Sequence, residues 1–250
     1  TRELINKVVI EATSGNTGIA LAVFCGSMDI PIEIAIPENA SIERKKILKN
    51  LGVKLHLTDP LRGTDGAQDF VQSLVEKNPD KYYYPDQYQN EQNWKAHFQT
   101  TGPEIWGQTD GKATHFVAGL GTTGTFVGVS HFLKLKGVKC IAVQPDNPMH
   151  GLEGWKHLPT VRVPKIYDKE IVDQIVEVST EHAFQYAKAA SRFLGLQLSP
   201  SSAANLYAAI EVAKTLTEGT VVTVFADNSN KYLNDTFWED DDYDIKDPFV

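Results

Sequence analysis

The chain has 250 residues, 42 % of them apolar and 22 % charged, with a formal net charge of −8. That length accommodates one large domain or two lobes with separate cores, and it excludes a small stapled scaffold. No apolar run approaches the about 20 residues of a membrane-spanning helix, and the acidic balance argues against nucleic acid as a partner.

Strand-length apolar runs alternate with helix-length amphipathic segments. VVIEA (8–12) is followed by a predicted helix from Asn16 to Cys25, IEIAI (32–36) by one from Ser41 to Leu51, and VKLHL (53–57) by one from Thr64 to Lys77. In the third helix Ala67, Phe70, Val71, Leu74 and Val75 form one apolar face, and Thr64 is a candidate cap. Three strand-helix pairs in succession predict a parallel sheet.

After the polar stretch 82–93 the alternation resumes. A predicted helix at 94–106 precedes THFVA (114–118), a helix at 123–135, VKCIAV (138–143), an irregular stretch at 145–164, and IVDQIVEV (171–178). Helices at 180–194, with Thr180 as cap and Gly195 as stop, and at 202–217 lead to TVVTVFAD (220–227). The expected fold class is α/β: two lobes, 1–90 and 91–250, each with a parallel-type sheet flanked by helices. The tyrosine run 82–84 and Phe237-Trp238 read as core or interface packing. The two cysteines, Cys25 and Cys140, read as buried reduced thiols, and the acidic tail from Glu239 as a solvated charge run.

Two strand-to-helix turns carry chemistry. In GLGTTGT (119–125) the glycines stand at GxGxxG spacing, and free amides at a helix start favour an anion. Thr122, Thr123 and Thr125 suit a terminal phosphate monoester. Asp146 stands close to where a ribose-binding acid belongs, so a dinucleotide and a plain tight turn both remain open. In EATSGNTGIALA (11–22) Thr13, Ser14, Asn16 and Thr17 offer uncharged hydrogen-bonding groups suited to a carboxylate, with helix capping as the alternative.

TSGNTGIALA, TTGPEIW (100–106) and GTTGT together resemble the cysteine synthase branch of the fold type II pyridoxal-phosphate enzymes, whose fold is that of the tryptophan synthase β subunit; the B-type cysteine synthases are the nearest likeness. IPENASIERKKILKNLG (36–52) and FADNSNKYL (225–233) extend the likeness over nearly the whole chain. The resemblance implies that Thr13, Ser14 and Thr17, with Gln87, hold the substrate α-carboxylate and that Asn16 meets the phenolic oxygen of pyridoxal 5'-phosphate. Gly121, Thr122, Thr123, Gly124 and Thr125 would hold the phosphate. Ser201, with Ser202 as the neighbouring alternative, would meet the pyridine nitrogen, although Pro200 and Ala203 depart from the family pattern.

The lysine that carries the cofactor is expected upstream of Thr1, because Lys7, the only lysine before the TSGNTG loop, stands too close to it. The implied reaction is β-replacement: an amino acid held by its carboxylate loses its α-proton and β-substituent, and sulfide or another sulfur donor adds. The smaller lobe is implied to be mobile, the assembly a homodimer and the compartment cytoplasmic. Lys156, in HGLEGWKHLPT (150–160), would pair with the phosphate of an O-phosphoserine donor; O-acetylserine needs no such cation. His150 and His157 lack a third ligand, so no metal is expected. Rival readings are a cystathionine β-synthase-type condensation of serine and homocysteine, a non-catalytic relative, and a nucleotide-dependent oxidoreductase.

Overall fold

The computed structural model describes residues 6–13, 15–239 and 247–249. Ser14 and most of the acidic tail, Asp240–Asp242 and Asp244 among it, lie outside the described residues. The chain divides into two compact units, Thr1–Gln87 and Tyr88–Val250.

The first unit is built on β1 (Val8–Ala12), α1 (Asn16–Ser27), β2 (Ile32–Pro37), α2 (Ile42–Asn50), β3 (Lys54–Thr58), α3 (Gly63–Lys77) and β4 (Tyr82–Tyr83). Its four strands pair in parallel in the order β3-β2-β1-β4. Successive residues of a strand point to opposite faces, and the core divides accordingly. Val9 joins Ile32, Ile34, Ile36 and Leu48 on one side, while Ile10 and Ala12 join Ala35, Ala67 and Val71 on the other. Every residue of β2 is buried, as a central strand covered on both faces requires.

The second unit contains α4 (Gln92–Gln99), α5 (Thr101–Gln108), β5 (His115–Gly119), α6 (Gly124–Lys134), β6 (Lys139–Pro145), β7 (Gln174–Val178), α7 (Thr180–Leu194), α8 (Pro200–Lys214) and β8 (Val221–Thr223). Its parallel strands run β7-β6-β5-β8. Phe116, Phe126, Val129, Leu133 and Cys140 fill one side of the sheet; Val117, Ile141, Val143, Ala204 and Ala208 fill the other. Full burial of a Phe or Leu side chain contributes roughly 1.5–3 kcal/mol, so these layers hold the turns at the strand ends rigidly. Among the described residues no helix is long and apolar enough to cross a membrane.

Several elements differ from the sequence reading for local reasons. The helix expected at 94–106 is two helices, because the backbone leaves helical geometry at Thr100 (φ −121°, ψ −72°). The predicted polar stretch at 82–93 begins with a short strand, Tyr82 pairing with Val8 and Tyr83 with Val9. Thr64 does not cap α3, which starts at Gly63 after a turn capped by Asp59. The cap of α7 is Ser179, whose hydroxyl accepts the His182 amide, with Thr180 as first helical residue. Helix α8 starts two residues early: Ser199 is its cap and Pro200 occupies the first helical turn, where a missing N–H costs nothing. Cys25 and Cys140 are free and buried, and Phe237 stacks on Phe184 with centroids 4.2 Å apart.

Candidate active site

In each unit the chain builds outward from one strand to two neighbours on one side, then returns to that strand's other side. The reversal falls beside β1 in the first unit and beside β5 in the second. Ligands of open parallel sheets bind at the carboxyl ends of strands at such reversals, and the two predicted turns follow those strands.

In the first unit, β1 ends at Ala12 and α1 begins at Asn16. Thr13 is buried; its amide donates to the Ala35 carbonyl (3.1 Å) and its Oγ1 accepts the Gly15 amide (3.2 Å). Among the described residues no side chain caps α1, and the Gly18 amide of its first turn donates to the Gly15 carbonyl at 3.1 Å. Asn16 is exposed and Thr17 half-buried. Gln87 is brought to the base of this turn, with its Nε2 donating to the Ala12 carbonyl at 2.8 Å. Part of its donor capacity is therefore used in holding the loop. Glu11 completes the latch from the opposite direction. Its side chain is 0 % exposed, and its carboxyl accepts the Ala12 amide (2.8 Å) and the Gln87 amide (3.2 Å). Burial pushes its pKa up to about 8, opposed by the backbone hydrogen bonds and assisted by the nearby Asp86.

In the second unit, β5 runs into the Gly-rich turn. Thr123 takes a left-handed conformation (φ 74°, ψ −7°) just before α6, an unfavourable one for a β-branched residue and a mark of functional constraint. Its Oγ1 is buried without a hydrogen-bond partner. A buried hydroxyl in that condition costs free energy unless a ligand completes it. Thr122 Oγ1 accepts from Asn93 Nδ2 (3.1 Å) and, weakly, from the Gly124 amide (3.4 Å). Thr125 Oγ1 lies 3.2 Å from His97 Nε2, and His97 Nδ1 lies 2.9 Å from Thr101 Oγ1. Burial lowers the His97 pKa, which favours the neutral ring. A Cβ on Gly121 would run into the Gly154 carbonyl, and one on Gly124 into Asn93, so the turn closes this tightly only with glycine at both positions.

Helix α8 presents the third element. Ser199, fully buried, accepts the Ser202 amide (3.2 Å), and Ser202 Oγ donates to the Asp227 carbonyl (2.9 Å). Both hydroxyls are used in closing the helix start. Ser201 is half-buried, with its Oγ 3.2 Å from Ser199 Oγ, and the cap of the helix is Ser199 rather than Ser201.

Lys156 is 5 % exposed, not a surface lysine; its amide donates to the Leu120 carbonyl (2.8 Å) and its Nζ lies 5.2 Å from the centre of the Tyr88 ring. His150 accepts the Leu152 amide and His157 pairs with Thr160. Among the described residues no group of three or more His, Cys, Asp or Glu side chains is placed to hold a metal ion. Lys7 donates to the Pro79 carbonyl at 3.2 Å. The residues that the sequence reading missed are Glu11, Asn93, His97, Thr101 and Ser199. An acid one residue before the end of an apolar strand and a histidine four residues before Thr101 were the available signals.

A tight turn with helix-start amides, an orphaned threonine hydroxyl and glycines that admit close approach is chemistry for a phosphate monoester, and the residues present fit that group. The second unit thus carries a turn suited to a phosphate group, and the first a turn of uncharged hydrogen-bonding groups after β1. Residues 1–227 match the family model described as pyridoxal-phosphate dependent enzyme, and the chain belongs to that family, within its cysteine synthase branch and the type II fold. It is 49 % identical over 242 residues to a cysteine synthase of Aquifex aeolicus, covering 94 % of this chain and 74 % of the relative. It is 37 % identical over 241 residues to an O-acetylserine dependent cystathionine β-synthase of Bacillus subtilis, covering 93 % and 78 %. Among solved structures, the O-acetylserine sulfhydrylase isoform 3 of Entamoeba histolytica superposes with a TM-score of 0.84 at 34 % identity, covering 94 % of this chain and 72 % of that one. This family membership removes the dinucleotide reading of GLGTTGT.

Proposed function

We propose that the chain catalyses pyridoxal-phosphate-dependent β-replacement, making L-cysteine from an activated serine and sulfide or another sulfur donor. The observation that carries this reading is the Thr123 turn, with its buried hydroxyl lacking a protein partner and its glycine-dependent closure. Gly121 to Thr125 hold the phosphate; His97 fixes the rotamer of Thr125, and Asn93 that of Thr122. Ser201 meets the pyridine nitrogen with a neutral hydroxyl. When bound, the cofactor supplies the electron sink that makes the α-proton acidic and the β-substituent a leaving group.

Thr13, Ser14, Thr17 and the first-turn amides of α1 receive the substrate carboxylate, Gln87 supports them, and Asn16 meets the cofactor's phenolic oxygen. Holding the carboxylate fixes the orientation of the α-carbon, which is the positioning part of the catalysis. None of the described lysines takes the Schiff-base role in this reading. The protein acts as a transferase on small molecules, as a cytoplasmic homodimer whose smaller unit moves on substrate binding.

The acceptor separates the principal reading from its alternative, a cystathionine β-synthase-type condensation, which is favoured by the likeness to the B. subtilis relative. Incubating the holoenzyme with O-acetylserine and either sulfide or homocysteine, and quantifying cysteine against cystathionine, tests it. Faster cystathionine formation at equal acceptor concentration would reverse the assignment. Lys156 bears on the donor: Lys156→Ala is expected to impair O-phosphoserine more than O-acetylserine, and an equal loss would remove the phosphoserine reading.

A further inference from the structure

Helices α4 and α5 are pressed onto α6 at two glycines. A Cβ on Gly128 of α6 would run into the Trp94 carbonyl and stand 2.7 Å from His97 Cβ, and one on Gly102 of α5 would stand 2.7 Å from Phe132 Cβ. Helices packed this closely fix the side chains between them, and His97 is held between Thr101 of α5 and Thr125 of α6. Its Nδ1 lies 2.9 Å from Thr101 Oγ1 and its Nε2 3.2 Å from Thr125 Oγ1. Burial favours the uncharged ring, in which one nitrogen donates and the other accepts. The neighbouring hydroxyls decide which does which. Thr100 donates its hydrogen to the Ala96 carbonyl at 2.9 Å. Thr101 Oγ1 stands 2.9 Å from His97 Nδ1 and 3.4 Å from Thr100 Oγ1, so its hydrogen goes to the nearer imidazole nitrogen. A nitrogen that accepts carries no proton, which puts the ring proton on Nε2, facing Thr125 Oγ1. The opposite tautomer would take up the Thr125 hydrogen and leave that hydroxyl only lone pairs to offer an anion.

We infer that His97 is a positioning residue of the phosphate turn: held as the Nε2–H tautomer by Thr101, it donates to Thr125 Oγ1 and so makes the Thr125 hydroxyl a donor to the phosphate. This rests on the proposed role of Gly121 to Thr125. Donation runs in one direction, from Thr101 O–H to His97 Nδ1, from His97 Nε2–H to Thr125 Oγ1, and from Thr125 O–H to a phosphate oxygen, and no proton changes owner. A phosphate dianion presents only acceptors, so a hydroxyl committed to donating favours it, and hydrogen bonds in series polarise one another.

Two measurements test this. In the holoenzyme labelled with 15N-histidine, two-bond proton–nitrogen correlations at neutral pH distinguish the tautomers. The His97 signals are assigned by through-space contacts to the Thr101 and Thr125 methyl groups, so this part requires no variant to fold. The Nε2–H pattern is expected; an Nδ1–H or doubly protonated ring overturns the inference. The second measurement removes the cofactor and titrates pyridoxal 5'-phosphate back into wild type, His97→Phe, Thr125→Val and the double variant, following visible absorption. His97→Phe keeps a planar ring without its nitrogens and is expected to weaken binding about ten-fold. The double variant is expected to bind no more weakly than Thr125→Val alone, because His97 acts through that hydroxyl. If the two losses multiply, or His97→Phe binds as wild type while Thr125→Val is weakened, the inference falls and the phosphate reading of the turn stands. If Thr125→Val binds the cofactor as tightly as wild type, the role of Thr125 in the phosphate turn falls, and the inference with it.

Discussion

The two units repeat one topology with different chemistry. Strands β3-β2-β1-β4 and β7-β6-β5-β8 follow the same order, and each places its functional turn after the equivalent strand. In the first unit the turn is backed by buried polar groups: an acid, Glu11, bonded to the Ala12 and Gln87 amides, and the Gln87 side chain, bonded to the Ala12 carbonyl. In the second it is held by close approach and hydroxyls: glycines at 121 and 124, a left-handed Thr123, and the His97–Thr125 contact. On the proposed roles, one fold carries two anion sites of different character: the first turn would receive a carboxylate that comes and goes with each turnover, the second a phosphate that stays bound.

That contrast is open to direct attack. The largest effect is expected from Gly121→Val, whose side chain must displace the Gly154 carbonyl. Overpacking of this kind costs roughly 1–3 kcal/mol or more, so the thermal midpoint should fall and the visible absorption of bound cofactor should be lost. A variant that retains full cofactor would show that this turn does not hold the phosphate.

Thr13→Val and Thr123→Val then divide the two sites. Each removes one hydroxyl expected to meet a charged group, worth about 1.5–3 kcal/mol. Thr13→Val should raise KM for the amino-acid donor about 10- to 100-fold with cofactor affinity unchanged, and Thr123→Val should weaken cofactor binding by a similar factor with donor KM unchanged at saturating cofactor. Matching losses of both kinds from either variant would collapse the distinction between the turns.

Glu11 offers a pH test confined to the first unit. Its folded pKa of about 8 lies above the ordinary carboxyl value of 4.5, so between those values the folded chain holds a proton that the unfolded chain has released. Stability from this group is complete below about pH 4.5 and is lost as pH rises through 8. Chemical denaturation at pH 5.5 and 8.0 should show a decline in wild type that flattens, by on the order of 2 kcal/mol, in Glu11→Gln. Equal slopes would mean that Glu11 is not held protonated. The smallest effect is expected from Ser199→Ala, which removes the cap of α8 and should cost about 1 kcal/mol in thermal stability, with a secondary loss of cofactor affinity through displacement of Ser201.

Much of this architecture was legible in the amino-acid order. Alternating apolar runs specify parallel strands because a strand covered on both faces is largely apolar, as β2 is apart from Glu33, whose carboxylate is bonded to Lys54 and His56. The polar turns TSGNTG and GLGTTGT are legible because glycine and hydroxyl residues at a strand-to-helix junction answer local backbone requirements. Helix boundaries near Thr100 and Ser199 were less so: the break between α4 and α5 and the early start of α8 depend on the packing of neighbouring elements, which no local propensity encodes.

What the sequence by itself determined is the fold class and the glycine- and hydroxyl-rich character of the two turns, since both follow from periodicity and residue type over short spans. Only the tertiary structure decided which distant residues stand behind those turns. Gln87 meets Ala12 across 75 positions of chain. His97 meets Thr125 from 28 residues away. Such pairings are set by sheet order and helix packing, and an isolated Glu or His in the sequence carries no mark of whether its charge will face water or be enclosed against a binding loop.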